Sequence, residues 1–226
     1  ITAAFFPEHM ALILISVYLI GIFVAILSAL LLKRTVFQGE SVPFVLELPA
    51  YRIPSAKSVL LHMWEKAKDF LRKAFTIIFV ASIIIWFLQS FDFAFNFVED
   101  SSTSMLANIG TWISHIFAPL GFEDWRASTA LVTGITAKES VVSTLSVLTN
   151  TTSDAGLSVA LQTIFSPVSA FAFLCFTVLY MPCVAAFAAT KRELGSMKQA
   201  LATVAYQTGV AYVVALLVYQ IGSLLF

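Results

Sequence analysis

Pro182 and Cys183 stand side by side in the middle of the apolar run VLYMPCVAAFAAT (Val178–Thr190). A proline inside a helix removes one backbone donor and frees the carbonyl four residues earlier, here that of Val178. The freed oxygen, the Cys183 thiol and the neighbouring Met181 thioether offer hard and soft donors together, and Tyr180 lies in the same break. Thiolate sulfur favours zinc, copper(I) or iron over magnesium or calcium. A thiolate needs positive charge beside it, which an arriving divalent cation supplies. The bland alternative is that a lone buried cysteine is a small hydrophobe, and Cys175 fits that description. On one helix the two cysteines would be roughly 12 Å apart, beyond disulfide reach.

A second group of reactive side chains lies in TALVTGITAKESVVSTL (Thr129–Leu145). At 100° per residue Thr129, Thr133, Thr136, Ser140, Ser143 and Thr144 share one stripe of a continuous helix. Glu139 falls about 80° from its centre and Lys138 nearly opposite. Gly134 permits a break, which would change these angles. An ionisable residue at the centre of a membrane helix costs on the order of 2.5–3.5 kcal/mol, and such residues mark ion or substrate pathways. Glu139 and Lys138 are therefore candidate path residues, Glu139 also a candidate metal ligand with Cys183. Thr133, Thr136, Ser140, Ser143, Tyr180 and Pro182 are candidate gate residues. The structural alternatives are a snorkelling or packing lysine and hydroxyls that merely join helices. His9, His62 and His115 do not cluster at metal-ligand spacing, and no glycine-rich phosphate loop, GxSxG or HExxH occurs.

The elements that must position these residues are set by composition. Of 226 residues 59% are hydrophobic and 12% charged, with mean hydropathy +0.91; soluble domains carry about 25% charged residues. The lack of net charge argues against a nucleic-acid or acidic partner. Apolar runs near the length of a membrane-spanning helix cover Met10–Leu32, Ala74–Leu88, Val168–Thr190 and Gln199–Leu225. The fold class expected is an all-α, polytopic membrane bundle containing a re-entrant or broken helix.

Charge placement orients the spans. Residues 33–73 hold eight of the 13 Lys and Arg, and Lys191, Arg192 and Lys198 follow the third span. Stretches 91–125 and 149–166 hold none, but carry Asp92, Glu99, Asp100, Glu123, Asp124 and Asp154. The positive-inside rule makes the first set cytoplasmic and the acidic stretches outward-facing. Residues 106–148 then begin and end outside. Met105–Leu120 is short and polar for a span, so a half-helix followed by a broken or tilted helix, Trp125–Leu148, is expected. Irregular backbone at membrane depth is tolerated only inside protein or beside a water-filled cavity, and broken helices mark the substrate sites of transporters. Within the cytoplasmic stretch, Glu47–Pro54 is expected to be extended. Ser55–Ala74 reads as an amphipathic interfacial helix with Val59, Leu60, Met63, Trp64, Ala67, Phe70 and Leu71 on one face.

The landmarks PFVLELPAYRIP (Pro43–Pro54), FTIIFVASIIIWFL (Phe75–Leu88), PLGFEDWRASTALVTGITAKESVVSTL (Pro119–Leu145), LYMPCVAAFAATKRELGSMKQAL (Leu179–Leu201) and AYVVALLVYQIG (Ala211–Gly222) occur in one order. Together they resemble the C-terminal membrane half of the ferrous iron transport protein B family. The resemblance implies a multi-pass permease of the bacterial inner membrane that transports Fe²⁺ and is not itself an enzyme. Cys183 falls on the family's cysteine in the second gate repeat, and Lys138-Glu139 on its Ala-Lys-Glu motif. Three regions follow: a transmembrane helix in 1–34, a cytoplasmic segment in 35–73, and the second gate repeat with the C-terminal helices in 74–226. The chain begins at Ile1 without an initiator methionine and reads as a piece of a longer protein. The resemblance puts the cytosolic GTP-binding domain, with GTP and Mg²⁺, and the first gate repeat outside it. Expected partners are the lipid bilayer, Fe²⁺ and that GTP-binding domain, with room for a homo-oligomer. No cofactor is expected in this chain. An organic, nucleoside-like substrate and a non-conducting anchor for a GTPase are the rival readings.

Overall fold

Five helices start where a serine or aspartate side chain can take the place of the missing preceding turn. In the computed structural model, which describes residues 1–35, 55–98, 101–151, 153–181 and 183–225, Ser55, Ser104, Asp124, Ser153 and Ser166 each accept a hydrogen bond from a backbone N–H of the first turn that follows. Such caps satisfy orphan donors, and each contributes about 1 kcal/mol. At Ser166 the cap is reciprocal with Ser169, and Pro167 occupies the first helical position, where its missing N–H costs nothing.

The described chain is helical throughout, in the order α1 (Thr2–Phe5), α2 (Met10–Thr35), α3 (Ala56–Ser90), α4 (Met105–Phe117), α5 (Trp125–Gly134), α6 (Ser140–Leu148), α7 (Asp154–Ile164), α8 (Pro167–Leu179), α9 (Val184–Leu194) and α10 (Met197–Leu225). Among the described residues three helical stretches are long and apolar enough to cross a membrane: Met10–Thr35, Pro167–Leu194 and Met197–Leu225. The chain is an all-α membrane bundle.

The packed centre is formed by α4, α5, α6, α8 and α10. Phe122 stacks on Phe117 at 5.2 Å between ring centroids, Phe117 meets Phe176 edge-on at 5.2 Å, and Phe176 stacks on Tyr180 at 5.4 Å. This aromatic column runs from the turn before α5 into the end of α8. The close approach of α4 to α5 depends on Gly110, where a Cβ would collide with Thr129 Oγ1 and come within 2.8 Å of the Trp125 carbonyl. On α10 the buried positions are Ala200, Ala211 and Ala215, small residues that let helices approach where lipid supplies no hydrophobic drive. Most leucines and isoleucines of α2 are exposed, and only Val17 on it is buried, as a lipid-facing helix requires.

Several sequence expectations are corrected. The amphipathic segment and the apolar run expected to follow it are one continuous helix, α3. No proline or glycine interrupts Ala56–Ser90, so nothing ends the hydrogen-bond ladder. At 35 residues it is about 52 Å long, and it is not one of the three stretches among the described residues that are long and apolar enough to cross a membrane. The helix after Met10 continues through Lys33 and Arg34 to Thr35; cations in a last turn favour the helix dipole rather than stopping the helix. The third span divides as expected into two helices, α8 and α9. Trp125–Leu148 is broken, as expected, into α5 and α6, separated at 135–139, so the hydroxyl stripe of a continuous helix does not apply. Helix α7, capped by Ser153, was not expected; it lies against α1, where Gln162 Nε2 donates to the Ala4 carbonyl at 2.8 Å. Glu47–Pro54, Glu99, Asp100 and Pro182 lie outside the described residues.

Candidate functional site

The two helix breaks meet. The backbone N–H of Val184, first residue of α9, donates to the carbonyl of Ile135, the residue after α5, at 2.9 Å. Tyr180, at the end of α8, sends its hydroxyl to the Leu131 carbonyl on α5 at 3.4 Å. Gly134 sits beneath that hydroxyl: a Cβ there would collide with it and press on Val141. A glycine at the end of α5 is thus what lets the Tyr180 ring lie between the breaks.

The first break is closed by its own hydroxyls. The Thr133 carbonyl, which loses its helical partner when α5 ends, accepts from Thr136 Oγ1 at 2.7 Å and from the Thr136 N–H at 3.0 Å. Ser140 Oγ lies 2.9 Å from the same carbonyl and 2.7 Å from that of Ala137. Thr133 Oγ1 donates to the Ala130 carbonyl at 2.9 Å, which leaves Thr144 Oγ1, 2.8 Å away, to donate to Thr133 Oγ1. Thr129 and Thr133 are buried, Thr136 and Ser140 half-buried. Ser143 Oγ bonds back to the Ser140 carbonyl on an exposed face.

The second break is closed from far away in sequence. Lys138 Nζ donates to the Val178 carbonyl at 3.0 Å and lies 3.5 Å from the Tyr180 carbonyl. It also sits 5.0 Å from the centroid of the Tyr180 ring, within range of a cation–π attraction. An ammonium at the C-terminal end of α8 is favoured by the partial negative charge of the last carbonyls. Cys183 is half-buried at the start of α9, its side chain makes no capping bond, and the next residue, Val184, is the one bonded to Ile135. Cys175 is buried in α8, and both cysteines are free thiols.

Of the residues singled out by sequence, Lys138, Tyr180 and Cys183 are therefore brought to one place, with Thr133, Thr136 and Ser140 just behind it. Glu139 is exposed at the start of α6 and has no ion-pair partner among the described residues. Among those residues, no three His, Cys, Asp or Glu side chains gather as a metal cluster. Three of the acidic residues expected to face outward, Asp124, Glu123 and Asp92, have local partners. Asp124 caps α5 and pairs with Arg126 at 3.3 Å. Glu123 lies 3.8 Å from His115, whose other ring nitrogen faces the Thr111 carbonyl at 2.9 Å. Asp92 accepts from the Asn96 and Ala94 N–H groups at 2.8 and 2.9 Å, and the Asn96 hydrogen bond first of all holds its carboxyl below the usual range. Sequence reasoning missed the carbonyls of Ile135, Leu131 and Tyr180 as parts of the site. Nothing in the sequence pairs positions some 40 apart, as Lys138 and Val178 are.

Residues 71–197 match the gate family, described as nucleoside recognition. The chain belongs to the gate family. Residues 14–66 match the ferrous iron transport protein B C terminus, so the gate is preceded by a segment typical of that protein. The gate chain is 40% identical over 220 residues to the Fe(2+) transporter FeoB of Staphylococcus aureus (strain COL), covering 97% of this chain and 33% of the relative. It is 40% identical over 230 residues to the Fe(2+) transporter FeoB of Methanocaldococcus jannaschii, covering 99% and 34%. With that of Salmonella paratyphi A (strain ATCC 9150 / SARB42) it shares 30% over 274 residues, covering 98% and 35%. The chain spans about a third of the length of these curated relatives. No solved structure matches.

Proposed function

We propose that this chain is the membrane-embedded permease portion of a ferrous iron uptake transporter, and that Fe²⁺ passes the paired helix breaks. The observation that carries the reading is the meeting of two unwound segments, with the Val178 and Tyr180 carbonyls pointed at a cationic group and Cys183 in the same break. Unwound carbonyls and half-helix C-termini are the elements with which transporters hold cations at the membrane midplane. The similarity to proteins named Fe(2+) transporter selects the cargo. Cys183 is the soft ligand, and Glu139 supplies a carboxylate or neutralises charge. Thr133, Thr136, Ser140 and Ser143 shape the wall, and Pro182, which has no N–H, is a gate residue by its sequence position. A small ligand set suits the exchangeable coordination that conduction needs. Coupling to GTP and its Mg²⁺ is assigned to a cytosolic domain outside this chain, and the location to a bacterial inner membrane crossed several times.

The test is anaerobic Fe²⁺ uptake by cells carrying the complete protein, comparing wild type with Cys183→Ser and Glu139→Gln at matched membrane abundance, with Zn²⁺ and Mn²⁺ alongside. Loss of Fe²⁺ uptake in the Cys183 variant is expected. Unchanged uptake would remove the sulfur from the path, and full activity of Glu139→Gln would remove the carboxylate. Uptake of nucleosides in place of Fe²⁺ would transfer the site to an organic substrate.

A further inference from the structure

We infer that Lys138 is a tethered competitor for the transported cation: its ammonium occupies the carbonyl pocket of the second break, and a divalent cation enters by displacing it. The inference rests on the iron-permease reading above and deepens it. The pocket has the chemistry of a cation site. It is formed by the Val178 carbonyl, 3.0 Å from Nζ, the Tyr180 carbonyl at 3.5 Å, and the Tyr180 ring face, 5.0 Å from Nζ to its centroid. Cys183 stands three residues beyond Tyr180, at the start of α9.

The Val178 oxygen is available because residue 182, which would donate to it in a continuous helix, is a proline without an N–H. It is therefore satisfied by a donor from another part of the chain. The half-buried ammonium and a dehydrated metal ion ask for the same oxygen atoms, and two cations cannot share them. Lysine suits displacement because its charge is compact and its four-carbon stem is flexible. It is also anchored on a segment that is already non-helical, at 135–139, so moving it breaks no helical ladder. The pocket is then closed by the protein's own cation until a cargo ion competes. The apparent affinity for that ion is the intrinsic affinity reduced by the fraction of molecules in which Lys138 has withdrawn.

This predicts a direction opposite to that of a lysine serving only as a structural cap. Anaerobic equilibrium binding of Fe²⁺ to the complete protein in lipid nanodiscs, with uptake kinetics in proteoliposomes, tests it on wild type, Lys138→Met, Lys138→Gln, Lys138→Arg and Cys183→Ser. Lys138→Met, of similar length and uncharged, should bind Fe²⁺ about tenfold tighter or more, because a charge-assisted contact no longer opposes the metal, and should lower KM for uptake. Lys138→Arg retains a charged occupant and should bind no tighter than wild type. Should the methionine variant fail to insert, Lys138→Gln, which keeps an N–H donor for the Val178 carbonyl, carries the same comparison. If wild type binds Fe²⁺ and the uncharged variants bind it equally or more weakly, the competitor is overturned while the iron site stands. If neither wild type nor the uncharged variants bind Fe²⁺, or Cys183→Ser binds it as well as wild type, the site assignment itself falls and takes the competitor with it.

Discussion

The two breaks solve one problem in opposite ways. Between α5 and α6 the interrupted ladder is re-satisfied by hydroxyls within a few residues, with the Thr133 carbonyl at the centre. Between α8 and α9 the freed Val178 carbonyl takes a lysine from the other break. Short-range hydroxyl bonds form with the local backbone and hold it in one geometry. A long side chain reaching across leaves by rotating its stem, without unfolding anything. The comparison teaches that a broken helix is either a fixed support or an exchangeable site, depending on where its hydrogen-bond partners come from. The first break here is the support, and the second is the part that can exchange.

The strongest way to break this pairing is to remove the ring between the two. Tyr180 is 5% exposed, stacks on Phe176 and bonds to Leu131. Truncation of a large buried aromatic typically costs about 3–5 kcal/mol, so Tyr180→Ala should lower the unfolding temperature of the complete protein sharply and abolish uptake together with it. Next comes Gly134→Ala. The added methyl has no room against the Tyr180 hydroxyl and Val141, and overpacking of this kind costs about 1–3 kcal/mol. Its effect should fall on both breaks at once, seen as faster amide exchange at Val184 as well as in 135–141. Exchange confined to one break would show that the two are not coupled through the ring.

Thr133→Val sharpens the contrast by touching the support alone. It removes the bond to Ala130 and the contact with Thr144, a net loss of about 1 kcal/mol. Amide protection around 135–141 should decline while Fe²⁺ affinity stays within about twofold, well below the tenfold that 1.4 kcal/mol would give. An affinity change as large as that of the Lys138 variants would erase the division of roles. The smallest effect is expected at Asp92, remote from both breaks. Its folded-state pKa is depressed by the Asn96 and Ala94 hydrogen bonds. The stability it contributes is thus present above its unfolded pKa and lost as pH falls through the lower folded value. Asp92→Asn should remove that acid-side dependence of exchange in 92–97 and leave uptake at neutral pH unchanged.

Much of the fold was legible in advance. The apolar runs located α2 and α10 to within a few residues, because a helix in lipid must satisfy its own backbone and be apolar outside. Pro182 and Gly134 pointed to both breaks, the first by a missing donor and the second by a missing Cβ. The continuous α3 was misjudged because a change of polarity along a helix was taken for an end, although only a stop signal ends the ladder. Helix α7 escaped notice because its 11 residues are too few to span a membrane and carry no chemistry of their own.

What the amino-acid order determined by itself was local: which segments are helical, where Ser and Asp cap them, and where the ladder must fail. Periodicity and propensity act over one or two turns, so these features are written within a dozen residues. Only the tertiary structure decided that the two failures face each other, that Tyr180 fits between them over Gly134, and that Lys138 crosses some 40 positions to the Val178 carbonyl. Those contacts are made where α5 and α8 end, by Tyr180 reaching the Leu131 carbonyl and Lys138 reaching that of Val178. No periodicity encodes a pairing of that range, because side-chain reach, not sequence distance, sets which donor finds a freed carbonyl.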